Sequence, residues 1–219
     1  MKTVRTAFIA LMAVVCLPAF SQKSFSIEHP FVGIDANLSK FTLDDFKFKF
    51  GYAAEAGVEV SLASVDKLIF IPSIQFITKK SSLEYVESVN TTKYKNYSLS
   101  YLQIPIRVGY QFQTGDFVVT PFVGPYIGVG LFGNYDYKAH SGKGNDLGID
   151  INVGNGGADP FDNMSRFEVG LTAGVRCDFR EKYCVSLHYD NSLNDIGGSA
   201  WIKSVRWQTI GLGLSYKFK

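Results

Sequence analysis

A short segment near the C-terminus carries the residues of this chain that are best suited to catalysis. Ser186, His188, Asp190 and Ser192 recur at every second position, and hydrolases use a serine as nucleophile with a histidine as base. In a strand, residues two apart point to the same side. The four side chains would therefore share one polar face. The residues between them form an apolar face: Tyr183, Val185, Leu187 and Tyr189.

This arrangement favours a structural role for His188 over a catalytic one. A lipid substrate would reach the apolar face of such a strand, whereas His188 lies on the polar face. The sequence contains no G-x-S-x-G nucleophile motif, no Cys/His spacing typical of a zinc site and no phosphate-binding glycine loop. We therefore predict that the protein is not an enzyme and uses no cofactor or metal, with a lipid-acting enzyme as the less favoured alternative.

The same alternation of apolar and polar residues extends through eight segments of the chain. In the clearest one, residues 98–112, every second residue from Leu102 to Phe112 is apolar and the residues between are mostly polar. Such a period of two predicts β-strands with one apolar face. The eight segments are residues 31–39, 50–62, 68–79, 98–112, 117–137, 166–179, 183–192 and 204–218.

The connections between these segments alternate in length. They are long after the first, third, fifth and seventh segments and short after the second, fourth and sixth. Long loops at one rim, short turns at the other and an even number of strands are typical of bacterial outer-membrane barrels. We therefore predict an all-β fold, an eight-stranded antiparallel up-and-down transmembrane β-barrel. Residues 138–162 and 191–203 are its most prominent predicted loops.

Composition and the N-terminal segment agree with an exported membrane protein. Aromatic residues make up 15% of the sequence, which suits a barrel with aromatic belts at both membrane interfaces. Residues 1–21 are predicted to be a signal peptide, because two basic residues and an apolar run precede an A-x-S cleavage site; residues 22–219 would form the barrel domain. Without Lys2 and Arg5 of the signal, 20 basic residues balance 20 acidic ones, so nucleic acid is not an expected partner.

Several strand sequences resemble those of a known family. The strand YLQIPIRVGY, the preceding FIPSIQF, the glycine-rich fifth segment and the final GLGLSYKF are similar to the outer-membrane β-barrel family of Bacteroidetes, whose members are called porin-like or PorT-like. The resemblance implies a small protein in the cell outer membrane of a Gram-negative bacterium, in contact with outer-membrane lipid. It also implies insertion by the barrel assembly machinery, through a signal formed by Leu212, Leu214, Tyr216 and Phe218. It implies no catalytic residues.

If the apolar faces contact lipid, the polar faces line the lumen. The polar residues predicted to face it are Asp35, Glu55, Glu59, Arg107, Glu168, Arg176, Asp178, His188 and Asp190. An eight-stranded barrel is just wide enough for side chains to fill, and buried charges must pair, so we predict a structural, ion-paired polar plug around Arg107 and Arg176.

Such a plug favours a structural or interaction role in which the extracellular loops meet the environment or a partner. A protein partner, extracellular or periplasmic, is left open by the sequence. Two further alternatives remain open: a narrow porin for ions or small solutes, and an accessory role in protein secretion like that of some PorT-like relatives. Cys177 and Cys184 would lie on opposite faces of one hairpin, so the alternation favours two free thiols over a disulfide.

Overall fold

A computed structural model of the chain describes residues 25–43, 45–62, 67–88, 91–141, 149–151, 159–180, 182–197 and 204–218. Within these residues, eight long and two three-residue strands form one sheet that closes on itself. The long strands are β1 (Phe25–Phe41), β2 (Phe46–Leu62), β3 (Leu68–Ser88), β4 (Thr91–Tyr110), β5 (Phe117–Ser141), β6 (Phe167–Phe179), β7 (Tyr183–Ser192) and β8 (Trp207–Lys217).

Each long strand pairs antiparallel with the next, and β1 pairs with β8 from Phe31↔Lys217 to Phe41↔Trp207 to close the barrel. The short strands Phe112–Thr114 and Ile149–Ile151 pair with the two ends of β5. The predicted eight-stranded antiparallel barrel is therefore confirmed. The described residues contain no helix long and apolar enough to cross a membrane, and the predicted signal peptide, residues 1–21, lies outside them.

The strands are much longer on one side of the barrel than on the other. Strands β6, β7 and β8 have 13, 10 and 11 residues, which rise about 25–33 Å at roughly 3.3 Å per residue and a tilt of about 40°. That height matches a bilayer core. Strands β3, β4 and β5 have 21, 20 and 25 residues. They rise about 50–65 Å on the same geometry and form a wall that projects beyond the core.

The wall extends the barrel at one end only. The chain passes from β2 to β3, from β4 to β5 and from β6 to β7 at the end where Phe31 and Lys217 pair, which we name the turn rim. The other end, where Phe41 pairs with Trp207, is the loop rim. The wall rises above the loop rim, where the ladder continues through Ser81↔Tyr97 and Tyr97↔Tyr135.

The prediction of a long loop between the third and fourth segments is therefore wrong. Residues 80–96 are almost entirely strand, since β3 ends at Ser88 and β4 begins at Thr91. The first connection is also shorter than predicted, because β1 ends at Phe41 and β2 begins at Phe46. Beyond the bilayer neither face of a sheet must be apolar, so the period-two signal fades although backbone pairing continues.

The outer surface has the layers expected of a lipid-facing barrel. Aliphatic side chains such as Ile34, Ile74, Val123, Leu187 and Leu214 are exposed around the middle. An aromatic girdle follows the turn rim from β4 to β8, with four ring pairs 5.0–5.7 Å apart. The girdle consists of Tyr110, Phe112, Phe117, Phe179, Tyr183, Tyr216 and Phe218.

A second set of exposed aromatic residues lies toward the loop rim. It includes Phe48, Phe50, Tyr52, Phe132 and Phe167. On β6, Phe167 is separated from Phe179 of the girdle by about 30 Å of strand at the usual rise and tilt, which is the thickness of a bilayer core. The two aromatic sets therefore mark the two membrane interfaces.

Candidate functional site

The candidate site is the lumen, and all nine predicted polar residues lie on its inner face. Glu55 is half-buried. The others are buried, with at most 9% of their surface exposed: Asp35, Glu59, Arg107, Glu168, Arg176, Asp178, His188 and Asp190. Strand alternation places them there, because each occupies the position opposite to the lipid-facing residues of its strand. The structure divides them into three groups along the barrel axis.

The first group closes the turn rim with a network of ion pairs. Glu59 Oε1 lies 2.7 Å from both Arg176 Nη2 and Lys217 Nζ. Lys217 Nζ also donates a hydrogen bond of 2.6 Å to Asp178 Oδ2, and Arg176 Nη2 lies 3.5 Å from Asp178 Oδ1. The network connects β2, β6 and β8, so it links strands that are distant in sequence. Buried charges matched in this way avoid most of the cost of burial.

Sequence reasoning missed Lys217, although a signal for it was present. The residues on either side, Tyr216 and Phe218, belong to the lipid-facing set of the last segment, so Lys217 falls on the lumen side by alternation. Long basic side chains near a membrane edge commonly extend to the headgroups, which makes an outward orientation the more obvious guess. Here Lys217 instead turns inward and is 3% exposed.

The second group lies in the middle of the barrel. Arg107 Nη1 donates a hydrogen bond of 2.6 Å to Glu55 Oε1, and Ser73 Oγ donates to the same oxygen at 2.5 Å. His188 lies between two carboxylates: its Nδ1 is 3.7 Å from Asp35 Oδ2 and its Nε2 is 3.7 Å from Asp190 Oδ2. Both distances exceed a hydrogen bond, and Asp35 Oδ1, Asp35 Oδ2 and His188 Nε2 have no hydrogen-bond partner.

The third group is centred on Glu168, toward the loop rim. Its Oε1 accepts hydrogen bonds from Lys79 Nζ and Tyr126 Oη, both 2.7 Å long, and from Ser192 Oγ at 2.5 Å. Lys79 is fully buried and was missed by the sequence analysis, because isoleucines at 69, 71 and 77 share its face of the third segment and obscure the polar side. The odd-numbered face of that strand carries Ile71 and Lys79 together inside the barrel.

An apolar cluster, which we name the loop-rim cluster, closes the lumen above Glu168. Trp207 is at its centre: its ring centroid lies 4.1 Å from that of Phe41, and its Nε1 donates a hydrogen bond of 3.1 Å to Tyr101 Oη. The buried members are Phe41, Phe46, Ala53, Ile77, Leu99, Tyr101, Phe161, Met164, Ile196, Val205 and Trp207.

Two of these residues, Phe161 and Ile196, come from the segments predicted to be exposed loops, residues 138–162 and 191–203. Both are buried in the loop-rim cluster, so these two side chains do not meet the environment or a partner. A 3-10 turn at Pro160–Asp162 positions Phe161, and the Asp159 side chain caps that turn by accepting from the Phe161 backbone N–H at 3.1 Å. Within the described residues, Phe161 and Ile196 therefore help to close the lumen from the loop side.

The structure does not assemble the suspected hydrolytic residues. Ser192 Oγ donates to Glu168, and His188 Nε2 has no hydrogen-bond partner, whereas a serine hydrolase needs a serine within hydrogen-bond reach of its base. Cys177 and Cys184 are free thiols, of which Cys184 is buried. Within the described residues, no group of three or more His, Cys, Asp and Glu side chains is placed to hold a metal ion.

Comparisons with known proteins found one matching family and several similar solved structures. A family model described as "Outer membrane protein beta-barrel domain" matches residues 20–198. Neisserial surface protein A is 16% identical, with 86% of this chain and 97% of that one covered and a TM-score of 0.42. Ail of Yersinia pestis, an attachment invasion locus protein, is 15% identical, with coverage of 88% and 100% and a TM-score of 0.41. The outer membrane enzyme PagL is 13% identical, with coverage of 84% and 97% and a TM-score of 0.36. A search of curated proteins gave no match.

Proposed function

The chain belongs to the family of outer membrane protein beta-barrel domains, and from that premise we propose that it is a non-conducting barrel with a structural or interaction role. It resides in the outer membrane and, in this proposal, directs its loop rim outward and its turn rim to the periplasm, as barrels with short periplasmic turns do. It has no enzymatic activity in this proposal.

The observation that carries this proposal is the double closure of the lumen. Ion pairs around Glu59 and Lys217 fill the turn rim, and the loop-rim cluster around Trp207 fills the other end. An eight-stranded barrel has room for side chains but little more. Solutes would have to displace a paired network and an apolar cluster to pass, which disfavours the porin alternative.

The projecting wall supports the interaction role. Strands β3, β4 and β5 continue their hydrogen-bonded ladder well beyond the aromatic residue Phe132 that marks the membrane interface. A membrane anchor alone needs no such extension, because β6, β7 and β8 already span a bilayer core. In this proposal the wall is the surface that meets an extracellular partner.

Single-channel recording in planar bilayers tests the non-conducting barrel. We expect no stable conductance steps from the refolded protein, while a porin added to the same bilayer as a control gives regular steps. Insertion of the silent protein is verified by its resistance to protease in the same lipid. Stable steps of uniform size from the wild-type protein would replace this proposal with the narrow porin.

The finer resemblance to PorT-like proteins of Bacteroidetes stays a prediction, as does an accessory role in protein secretion. The predicted assembly signal also stays a prediction. Its four side chains are exposed on the outer side of the last strand: Leu212, Leu214, Tyr216 and Phe218. Crosslinking of a stalled precursor to the assembly machinery, with Phe218→Ala as the variant and Phe117→Ala as the girdle control, would test it.

A further inference from the structure

Three lysines come together on neighbouring strands near the loop rim: Lys40 of β1, Lys49 of β2 and Lys80 of β3. Lys49 and Lys80 are directly opposite each other in the β2–β3 ladder, which places their Cβ atoms about 5 Å apart. Lys40 follows Ser39, the residue opposite Lys49 in the β1–β2 ladder. The three ammonium groups can therefore reach one anion. We name these three residues the lysine patch.

Strand alternation and a bulge expose the lysine patch. Lys40 and Lys80 each lie between two residues that are buried inside the barrel, so both point away from the lumen. In β2 the register shifts between Lys49 and Tyr52, and four successive residues, 47–50, are exposed. A bulge changes the direction of side chains in this way. The result is an exposed segment in which basic and aromatic residues alternate.

The lysine patch has no acidic partner in the part of the chain that the structure describes. None of its members forms an ion pair there, and the exposed carboxylates of Asp45 and Asp136 do not bond to it. Lys40 Nζ instead lies 5.1 Å from the centroid of the Phe48 ring. Like charges directly opposite each other destabilise a sheet. An anion from outside the chain would remove this repulsion.

The lysine patch lies at the depth of lipid headgroups. Thr78 is level with the interfacial Phe132, because both pair with Ser100 of β4. Lys80 is two residues further toward the loop rim, which is about 5 Å along the barrel axis at the usual rise and tilt. The headgroup region extends roughly 5–7 Å beyond each side of the hydrocarbon core. The ammonium groups therefore reach the layer that contains the lipid phosphates.

We propose that the lysine patch binds a phosphate group of an anionic lipid in the leaflet around the loop rim. A phosphate presents several anionic oxygens to several lysines at once, and each basic residue near an anionic membrane surface contributes roughly fivefold to affinity. Phe50 and Tyr52, which are 61% and 53% exposed, lie beside the patch where the acyl chains of the same lipid begin. In the orientation proposed above, this is the outer leaflet.

Lipid binding by the refolded barrel in a neutral detergent tests the proposal. The probe is lipid A with its phosphates, compared with the same lipid A after enzymatic dephosphorylation, and titrations are followed by native mass spectrometry. We expect at least about tenfold tighter binding of the phosphorylated form. Equal affinity for the two forms would overturn the proposal. Inorganic phosphate is the third probe: binding as tight as that of the phosphorylated lipid would assign the patch to a free anion instead.

Variants without charge locate the binding site. Lys49→Gln combined with Lys80→Gln should weaken binding of the phosphorylated lipid about 25-fold and leave binding of the dephosphorylated lipid unchanged. Lys67→Gln combined with Lys182→Gln is the matched control, because it removes two exposed lysines from the turn rim. It should retain the preference for the phosphorylated lipid. Equal weakening by both double variants would indicate general electrostatic attraction and overturn the assignment.

The unfolding temperature provides a second readout. Without lipid, Lys49→Gln removes the repulsion from Lys80, so the variant should unfold at a temperature no lower than the wild type. With saturating phosphorylated lipid A the order should reverse, because the wild type binds the lipid more tightly. A lower unfolding temperature of the variant without lipid would show that Lys49 is stabilised within the protein, contrary to the proposal. Conductance is not measured here, so failure of this inference is distinguishable from failure of the proposed function.

Discussion

The two ends of the lumen are closed by opposite kinds of chemistry. At the loop rim, Phe41, Tyr101 and Trp207 pack with other apolar side chains as in the core of a water-soluble protein. At the turn rim, Glu59 and Lys217 belong to a network of paired charges. The loop-rim cluster depends on shape, because apolar contacts are individually weak and need close packing. The network depends on charge balance, because an unpaired buried ion is costly.

Destabilising substitutions at the two ends should therefore respond differently to a second, compensating substitution. A lost volume in the loop-rim cluster can be restored only by another side chain that fits the same space. A lost charge in the network can be compensated by removing the opposite charge, because two well-packed neutral groups replace an ion pair at little cost. Each of the following substitutions tests one side of this difference, and all are measured by denaturant unfolding in detergent or lipid.

The largest effect is expected from Trp207→Ala. Trp207 is fully buried and contacts Phe41 and Tyr101, so its removal leaves a cavity and should lower the free energy of unfolding by about 4 kcal/mol. Trp207→Phe should recover part of this loss because it refills most of the space. Leu212→Ala, on the lipid-facing side of β8, is the control and should cost far less. An effect of Trp207→Ala no larger than that of the control would mean that the loop-rim cluster contributes little.

Glu59→Gln is expected to have the next largest effect. It leaves Arg176 and Lys217 with only Asp178 as an acidic partner, so the free energy of unfolding should fall by about 3 kcal/mol. Adding Lys217→Met restores one cation against one carboxylate, and the double variant should be more stable than Glu59→Gln alone. If Lys217→Met instead lowers the free energy of unfolding further, charge balance does not govern the network. The two ends of the lumen would then not differ in this way.

Arg107→Leu should have the smallest effect of the three. Arg107 pairs with Glu55 in the middle of the barrel, where their side chains are 10% and 16% exposed, so residual solvent reduces the cost to about 2 kcal/mol. Leucine also preserves contact with the Phe122 ring, which the guanidinium now covers at 5.5 Å. An unchanged free energy of unfolding would show that the hydrogen bond from Ser73 is sufficient to stabilise the buried Glu55 carboxylate.

These contrasts also explain what could be predicted from the sequence. Alternation identified the eight strands, the lipid-facing surface and the inward position of residues such as Glu59 and Arg176, because one face of each spanning strand must suit lipid. Lys79 and Lys217 follow from the same rule once the face of their strand is assigned. Strand periodicity therefore predicts most of the charged side chains that close the turn rim.

The loop-rim cluster could not be predicted in this way. Phe161, Met164 and Ile196 come from irregular segments, where no period shows which way a side chain points, and they meet Trp207 only through tertiary folding. The wall was missed for a related reason: outside the bilayer a strand may be polar on both faces, so residues 80–96 gave no alternation to detect. The surroundings of Asp35 likewise include Gly211 and Gly213, which are far along the sequence but belong to β8, the strand that pairs with β1.

The backbone pairing within the wall affects the thermodynamics of recognition. From Ser98 to Thr91, β4 is paired on both sides, with β3 through Val86↔Thr92 and with β5 through Thr91↔Ser141. A ligand that touched this sheet would find its backbone already ordered and would lose little conformational entropy on binding. Such a preorganised epitope suits fast rigid-body docking, in contrast to a flexible loop that must fold around its target.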